Sequence, residues 1–280
     1  MYFMRPKTIQ IFLPDGSPRS IRIAEITSRI AKAVQIPRNK IKEAGTREEV
    51  SQPGVYFLFG YKDDSENIPA VYIGEAENSL KRITQHNQSL EFWHTAIILI
   101  SKTNHLTKSH IKYLESYSYE ITKKLGRYDV INSSIPSKPH ITETVEADLH
   151  DYFDDSRVLL STLGYPIFEE IKIEDKRKLI YCEGKGAKAT GFYSDDGLMV
   201  MKNSTASIEE TKTVSNWIKN LRKDLIGSNV LIKENDFYRF EKDYLFKSPS
   251  SAAASVLGRE ANGWIEWKDE KGNNLNQIKR

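Results

Sequence analysis

Apolar residues alternate with polar ones at Ile9, Ile11 and Leu13, stop at Pro14-Asp15-Gly16-Ser17-Pro18, and resume at Ile21 and Ile23. A period of two on both sides of a Pro-Asp-Gly turn predicts a β-hairpin. Ile26 and Ile30, four positions apart, predict a short helix behind it. After the breaker Ser51-Gln52-Pro53-Gly54, the runs Val55 to Phe59 and Ala70 to Ile73 flank a polar loop from Lys62 to Asn67 and predict two antiparallel strands. Asn78 or Ser79 is placed to cap a helix running to about Gln88, and Thr95 to Ser101 is short, β-branched and apolar enough for a buried strand. From Thr107 the stripe Ile111, Leu114, Ser118, Ile121 and Leu125 predicts a helix that Gly126 ends. Asn132 to His140 is rich in Pro and Ser and predicts a loop. Val145, Leu149, Tyr152, Leu159 and Leu163 predict another long helix, stopped by Gly164 and Pro166.

Beyond the charged run Glu169 to Lys178 the pattern changes to shorter units. Strands are predicted near Lys188 to Tyr193 and Leu198 to Lys202 around Ser194-Asp195-Asp196-Gly197, followed by a helix from about Thr213 to Leu225. A further strand pair, a Ser-Ala-rich helix from Ser250 to Leu257 and a final hairpin turning at Lys271-Gly272 complete the chain. The implied organisation is an extension over residues 1–50, a first domain over 51–168 with its closing helix, a linker at 169–178 and an accessory domain over 179–280.

Composition narrows the class. The 280 residues are too many for one small core and suit two domains, and 39% hydrophobic residues with 10% aromatics describe a folding chain. No apolar run approaches the roughly 20 residues of a membrane-spanning helix. The start, MYFMRPKTIQ, lacks the sections of a signal peptide, so the expectation is a cytoplasmic protein without a membrane partner. Cys182 is the single cysteine, which excludes an intrachain disulfide and a thiolate zinc cluster and leaves any metal to oxygen or imidazole ligands. A net charge of +3 permits a polyanionic partner without requiring one.

The chemistry lies between Gly54 and Asn132. Tyr56 and Tyr72 fall on neighbouring strands, so two phenols can meet over one sheet face. Arg82 and His86, four apart on a helix, share a side. A permanently charged, planar guanidinium suits a phosphate gaining negative charge. Glu115 edges the core beside Leu114, where a carboxylate is costly without a positive partner such as a divalent cation. Taken singly, each of these is an ordinary strand aromatic, cap or surface group. Together they hold what phosphodiester hydrolysis needs: a base, a charge stabiliser and a cation ligand.

In order and spacing, Gly54-Val55-Tyr56, Tyr72-Ile73-Gly74, Arg82, His86, Glu115 and Asn132 resemble the GIY-YIG nuclease family, with valine as the middle residue of the first tripeptide. The opening hairpin, Leu106-Thr107-Lys108 and Leu163-Gly164-Tyr165 extend the resemblance over roughly residues 5 to 170 to a variant of that family. It implies an α+β fold: a small, mainly antiparallel sheet of three central strands flanked by helices and enlarged by the extra hairpin. It also implies a DNA endonuclease that uses one Mg2+ or Mn2+ held by Glu115, with Tyr56, Tyr72, Arg82, His86 and Asn132 as catalytic residues and no small-molecule cofactor. Tyr56, Tyr72 and His86 remain alternatives as the base, and Glu120 is the alternate metal ligand. Lys81 is an added candidate for touching nucleic acid.

Residues 179 to 280 resemble a domain that often follows this variant, at Ser248-Pro249-Ser250-Ser251-Ala252-Ala253 and Asn262-Gly263-Trp264-Ile265-Glu266-Trp267, and that is similar to domains attached to restriction enzymes and adenine methylases. The resemblance implies a second small α+β domain that binds DNA. Trp264 and Trp267 are either stacking platforms for a base or core of the closing hairpin, and Arg259, Lys185, Lys188, Lys219, Arg222 and Lys223 either meet phosphates or face water. Restriction, repair and mobile-element roles all fit. The alternative is a DNA-binding module whose nuclease fold no longer cuts.

Overall fold

A computed structural model describes residues 6–62, 68–170, 179–184, 186–194, 196–211 and 214–279. The chain divides into two compact units, residues 1–170 and 171–280, and both are mixtures of helix and mainly antiparallel sheet. No helix among the described residues is long and apolar enough to cross a membrane. The expected linker lies, from residue 171 to 178, outside the described residues.

Unit 1 opens with the expected hairpin, β1 (Ile9–Phe12) against β2 (Arg22–Ile26). The helix expected through Ile26 and Ile30 is not there. Its place is taken by a turn and by β3 (Ala31–Pro37), which pairs with β2 on one side and along its whole length with a central strand on the other. Two isoleucines four apart fit a helix face, but they fit two strand ends around a turn as well, and sheet pairing decides between them. After a short α1 (Ile41–Ala44) come β4 (Gly54–Tyr61), β5 (Pro69–Ala76), α2 (Ser79–Ser89), β6 (Trp93–Ser101), α3 (Lys108–Leu125), β7 (Asp129–Val130) and α4 (Glu143–Thr162). The sheet has seven strands in the order β1-β2-β3-β6-β4-β5-β7, adding β3 and β7 to the three central strands and hairpin that were expected. Strands β6, β4 and β5 lie toward its middle, and only the short β5–β7 pair is parallel.

Alternation along β4 sends Val55, Phe57 and Phe59 to one face, where α3 and α4 cover them with Ile111, Leu114, Leu149, Tyr152 and Leu159. Tyr56 and Leu58 point to the other face, against Ile83 of α2 and the β6 side chains Ala96 and Ile98. Gly54 sits where β4 passes close to β6, and a Cβ added there would lie 2.6 Å from the Leu99 carbonyl oxygen. The expected caps are in place: the Asn78 side chain accepts from the Lys81 amide, and Thr107 accepts from His110.

Unit 2 is built on β8 (Ile180–Gly184), β9 (Ala187–Ser194), β10 (Gly197–Val200), β11 (Thr205–Ser207), β12 (Leu231–Glu234), β13 (Phe237–Phe240) and β14 (Tyr244–Phe246). Its sheet runs β12-β13-β11-β9-β10-β14, with β8 added on β9. Helices α5 (Asn216–Gly227) and α6 (Pro249–Leu257) contribute Leu221, Leu225, Ala252, Ala253 and Val256 to its core. The expected closing hairpin is reduced to one bridge, Lys268 to Asn274, between the short helices α7 (Gly263–Glu266) and α8 (Leu275–Lys279). Asn262 caps α7, so the tryptophan segment winds up where alternation suggested a strand.

Unit 1 holds two complete apolar layers of its own, one on each face of its sheet. The fragment Met1–Glu170 is therefore expected to fold alone and melt in one cooperative transition. Calorimetry on the fragment checks this, and a featureless thermogram from a soluble fragment would refute it.

Candidate active site at the edge of β5

Beyond Val71, where β7 stops pairing, β5 has an open outer edge. Its next outward-facing backbone groups are those of Ile73 and Glu75, because amides two apart on a strand point the same way. The Asn132 side chain meets Ile73 with both ends of its amide: Oδ1 accepts from the Ile73 N–H at 3.0 Å and Nδ2 donates to the Ile73 carbonyl at 2.6 Å. Glu115 of α3 lies beside Glu75, where the Glu75 N–H acts to lower its pKa. Asn132 thus serves as a clip for β5, with both ends of its amide on the backbone.

On the α2 face of the same stretch, Tyr56 is the cross-strand partner of Gly74. A Cβ at Gly74 would run into the Tyr56 ring and hydroxyl, so the missing side chain is what lets the phenol lie across β5 toward its edge. Tyr72, diagonal to Tyr56, stacks on it with ring centroids 6.2 Å apart and planes within 17°. His86, only 8% exposed, closes the cluster: its Nε2 is 2.9 Å from the Tyr56 hydroxyl, and its ring centroid is 4.8 Å from that of Tyr72. The guanidinium of Arg82, one turn before His86 on α2, faces the phenols of Tyr56 and Tyr72 and also donates to Gln85 at 3.1 Å. The predicted Tyr56, Tyr72, Arg82 and His86 therefore form one cluster.

Charges in the cluster follow from burial. Burial, then the neighbouring Tyr72, pushes the Tyr56 phenol well above its ordinary value, while Arg82 pulls the other way. Tyr56 thus keeps its proton at neutral pH. Burial, then Arg82, lowers His86 to about 4, so its ring is neutral, and a ring protonated at Nδ1 accepts the Tyr56 O–H at Nε2. The phenol oxygens, Tyr56 first, hold Arg82 firmly charged.

Glu115 lies on the α3 side of the sheet, yet its charge reaches Tyr56 around the β5 edge. Burial, then the neighbouring Glu75 carboxylate, raises Glu115 to about 7, against the Glu75 N–H, Lys108 and Lys112. Glu75 went unnoticed in the sequence because one acid after Gly74 carries no pattern. Only its alternation with Gly74 puts it on the α3 face. There Lys108 Nζ grips both its oxygens, at 2.8 and 2.7 Å. Arg82, Lys81, Gln85, Glu75 and Lys108 line a cleft of about 370 Å3. Glu120 is exposed on another side of α3 and does not join the site.

A divalent cation fits this donor set. Glu115 is a half-buried carboxylate that offers hard oxygen ligands of the kind Mg2+ and Mn2+ take, while both oxygens of the neighbouring Glu75 are held by Lys108. Among the described residues no group of three His, Cys, Asp or Glu side chains is gathered to hold an ion, so water and a substrate oxygen would complete the shell.

In unit 2 several expected contacts fail. Trp267 is fully buried with its Nε1–H on the Pro249 carbonyl at 3.2 Å, and no base can stack on it. Trp264 packs edge-on against Tyr193 at 5.4 Å. Arg222 is 1% exposed, donates to the Ser255 and Ser207 carbonyls and to Glu210, and is a strut of the core. Arg259 pairs with Glu266 at 2.9 Å. Lys188, Lys219 and Lys223 are exposed, while Lys185 lies outside the described residues. Periodicity cannot separate a buried cation or indole from an exposed one when the apolar stripe around it is wide.

Residues 180–279 match the model of a family described as a domain of unknown function (DUF4357). No curated protein and no solved structure matches the chain.

Two outcomes follow from this geometry. Gly74→Ala forces Tyr56 out of its place and is expected to lower the melting temperature and abolish the Tyr56–His86 contact; an unchanged tyrosine and histidine NMR signature would refute the packing argument. The folded pKa of His86 lies below its unfolded value of 6.5, so its contribution to stability is full above about pH 6.5 and drains as pH falls toward 4. The wild-type melting temperature should therefore drop between pH 7 and 4.5 more steeply than that of His86→Gln. Parallel curves would count against a buried, neutral imidazole.

Proposed function

We propose that unit 1 is a GIY-YIG-type nuclease module that hydrolyses phosphodiester bonds of DNA, with Mg2+ or Mn2+ held by Glu115. The observation that carries this reading is the convergence at one strand edge of a neutral Tyr56–His86 hydrogen bond, a charged Arg82 and a half-buried Glu115. The sequence resemblance assigns the same residues to the same roles. The three strands β6, β4 and β5 correspond in this reading to the family's central sheet.

In the reaction, the scissile phosphate docks against Arg82, whose guanidinium donates to the non-bridging oxygens and gains strength as charge builds on them. Tyr56 positions the attacking water and can take its proton as its own passes to His86 Nε2, the one neutral acceptor in contact with it. Tyr72, stacked on Tyr56, walls the water in. Glu115 would hold a divalent ion, which when bound would supply positive charge against the charge that builds in the transition state. Asn132 and Gly74 act earlier, by fixing the strand that carries the phenols. Unit 2 serves in this reading as a targeting module, with Lys188, Lys219 and Lys223 as its exposed cations.

Glu115→Gln tests the reading. It keeps the helix and removes the negative charge an ion needs. About 1.4 kcal/mol is tenfold in rate, so losing the several kcal/mol that an ion contributes should slow cleavage at least a hundredfold. Binding of DNA in EDTA should persist or tighten. Cleavage assays on circular DNA with Mg2+ or Mn2+, run beside a binding isotherm and a melting curve, decide the matter; near-normal cleavage removes Glu115 as ligand, and no cleavage by the wild type on any DNA removes the nuclease reading.

A further inference from the structure

Helix α3 does more than hold Glu115. Positions 108, 112, 115, 119 and 123 recur at spacings of four or three, which puts them on one stripe of the helix. Lys108 and Lys123 are exposed, and Lys112, Glu115 and Tyr119 are half-buried. Lys123 Nζ stands 5.9 Å from the centroid of the Tyr119 ring, and the charge of Lys112 acts on Glu115. We propose that this stripe is the track along which one nucleic-acid strand runs through the site, with Lys112 on one side of Glu115 and Tyr119 and Lys123 on the other. The proposal rests on the nuclease reading and adds to it the path of the substrate.

Four features support a nucleic acid as the occupant. Glu115 is the single acid on the stripe, since Glu120 lies on another side. Two acids near it are paired, Glu75 with Lys108 and Asp129 with Lys62 at 3.0 Å. The stripe is straight and about 22 Å long at about 1.5 Å per residue, room for roughly six nucleotides at about 3.4 Å each. Finally, an aromatic ring lies on the line of charge, as strand-binding surfaces require. Lys108 is committed to a carboxylate, Glu75, whereas Lys123 makes only a 3.4 Å contact to the Val130 carbonyl, so Lys112 and Lys123 keep their charge for the phosphate contacts.

The test is a salt titration of binding by the full chain in EDTA to a fluorescent single-stranded oligonucleotide and to its duplex. Neutralising both lysines, Lys112→Gln with Lys123→Gln, should reduce the slope of log K against log salt by about 1.4 on single strands or about 1.8 on duplex. Lys124→Gln, exposed on a different side of α3, should leave it unchanged. The pair Lys112→Arg with Lys123→Arg should restore the slope and so separate a phosphate contact from a folding defect. Equal slopes in the glutamine pair and the Lys124 control, failure of arginine to restore binding, no binding by the wild type, or equal binding of poly-glutamate each overturns the track. Cleavage by the wild type with an unchanged slope would sink the track alone; a reduced slope without any cleavage would sink the nuclease reading and keep the track.

Discussion

The backbone of β5 between Tyr72 and Ala76 has a partner on one side only, and everything at the site is a response to that open edge. Unpaired amides and carbonyls at a strand edge have to be met by something. Here Asn132 meets the Ile73 pair and ties the loop after β7 to the strand, while Glu115 of α3 lies beside the Glu75 N–H. The residue between them is Gly74, and its lack of a side chain admits Tyr56 from the neighbouring strand. A single edge thus collects a phenol from β4, a carboxylate from α3, an amide from the following loop and, through the phenols, the guanidinium and imidazole of α2.

The charges so gathered do not balance locally. Arg82 is held positive, His86 neutral and Tyr56 protonated, while Glu115 is drawn toward neutrality by burial and by Glu75. Lys108 answers Glu75 with both of its short contacts and leaves Glu115 less well served. The arrangement favours an anion on the Arg82 side and a cation on the Glu115 side. A metal-bound phosphodiester is one object that satisfies both.

Much of unit 1 was legible because its signals are local and redundant. Thr107 and Gly126 bracket α3, Asn78 starts α2, and Val55 to Phe59 can hardly be anything but strand. Strand β3 was missed because Ala31, Lys32, Ala33 and Gln35 carry little β propensity, and it is a strand by virtue of seven residues of pairing with β6. Spacing paired Tyr56 with Tyr72 and Arg82 with His86, since strand alternation and one helical turn fix relative direction, and the family resemblance implied that the two pairs share a site. Glu75 was not legible, because its importance comes from Glu115 across the edge. Trp267 and Arg222 show the opposite failure: residue types apt for binding nucleic acid, spent on the core of unit 2.

The electrostatics also bear on the choice between a cutting module and one that only binds. For binding alone, a half-buried carboxylate facing a phosphate is a liability twice over: it costs desolvation when ionised, and it repels the polyanion. Glutamine at 115 would accept the same Glu75 N–H and remove both penalties. Lys112 and Lys108 pull against the raised pKa of Glu115 without overcoming it, so the site stays short of positive charge until something brings it. Chemistry at phosphorus gives such a deficit a use, since a cation at that position would lower the barrier. The deficit at Glu115 therefore weighs toward the catalytic reading and against a silent relative of it.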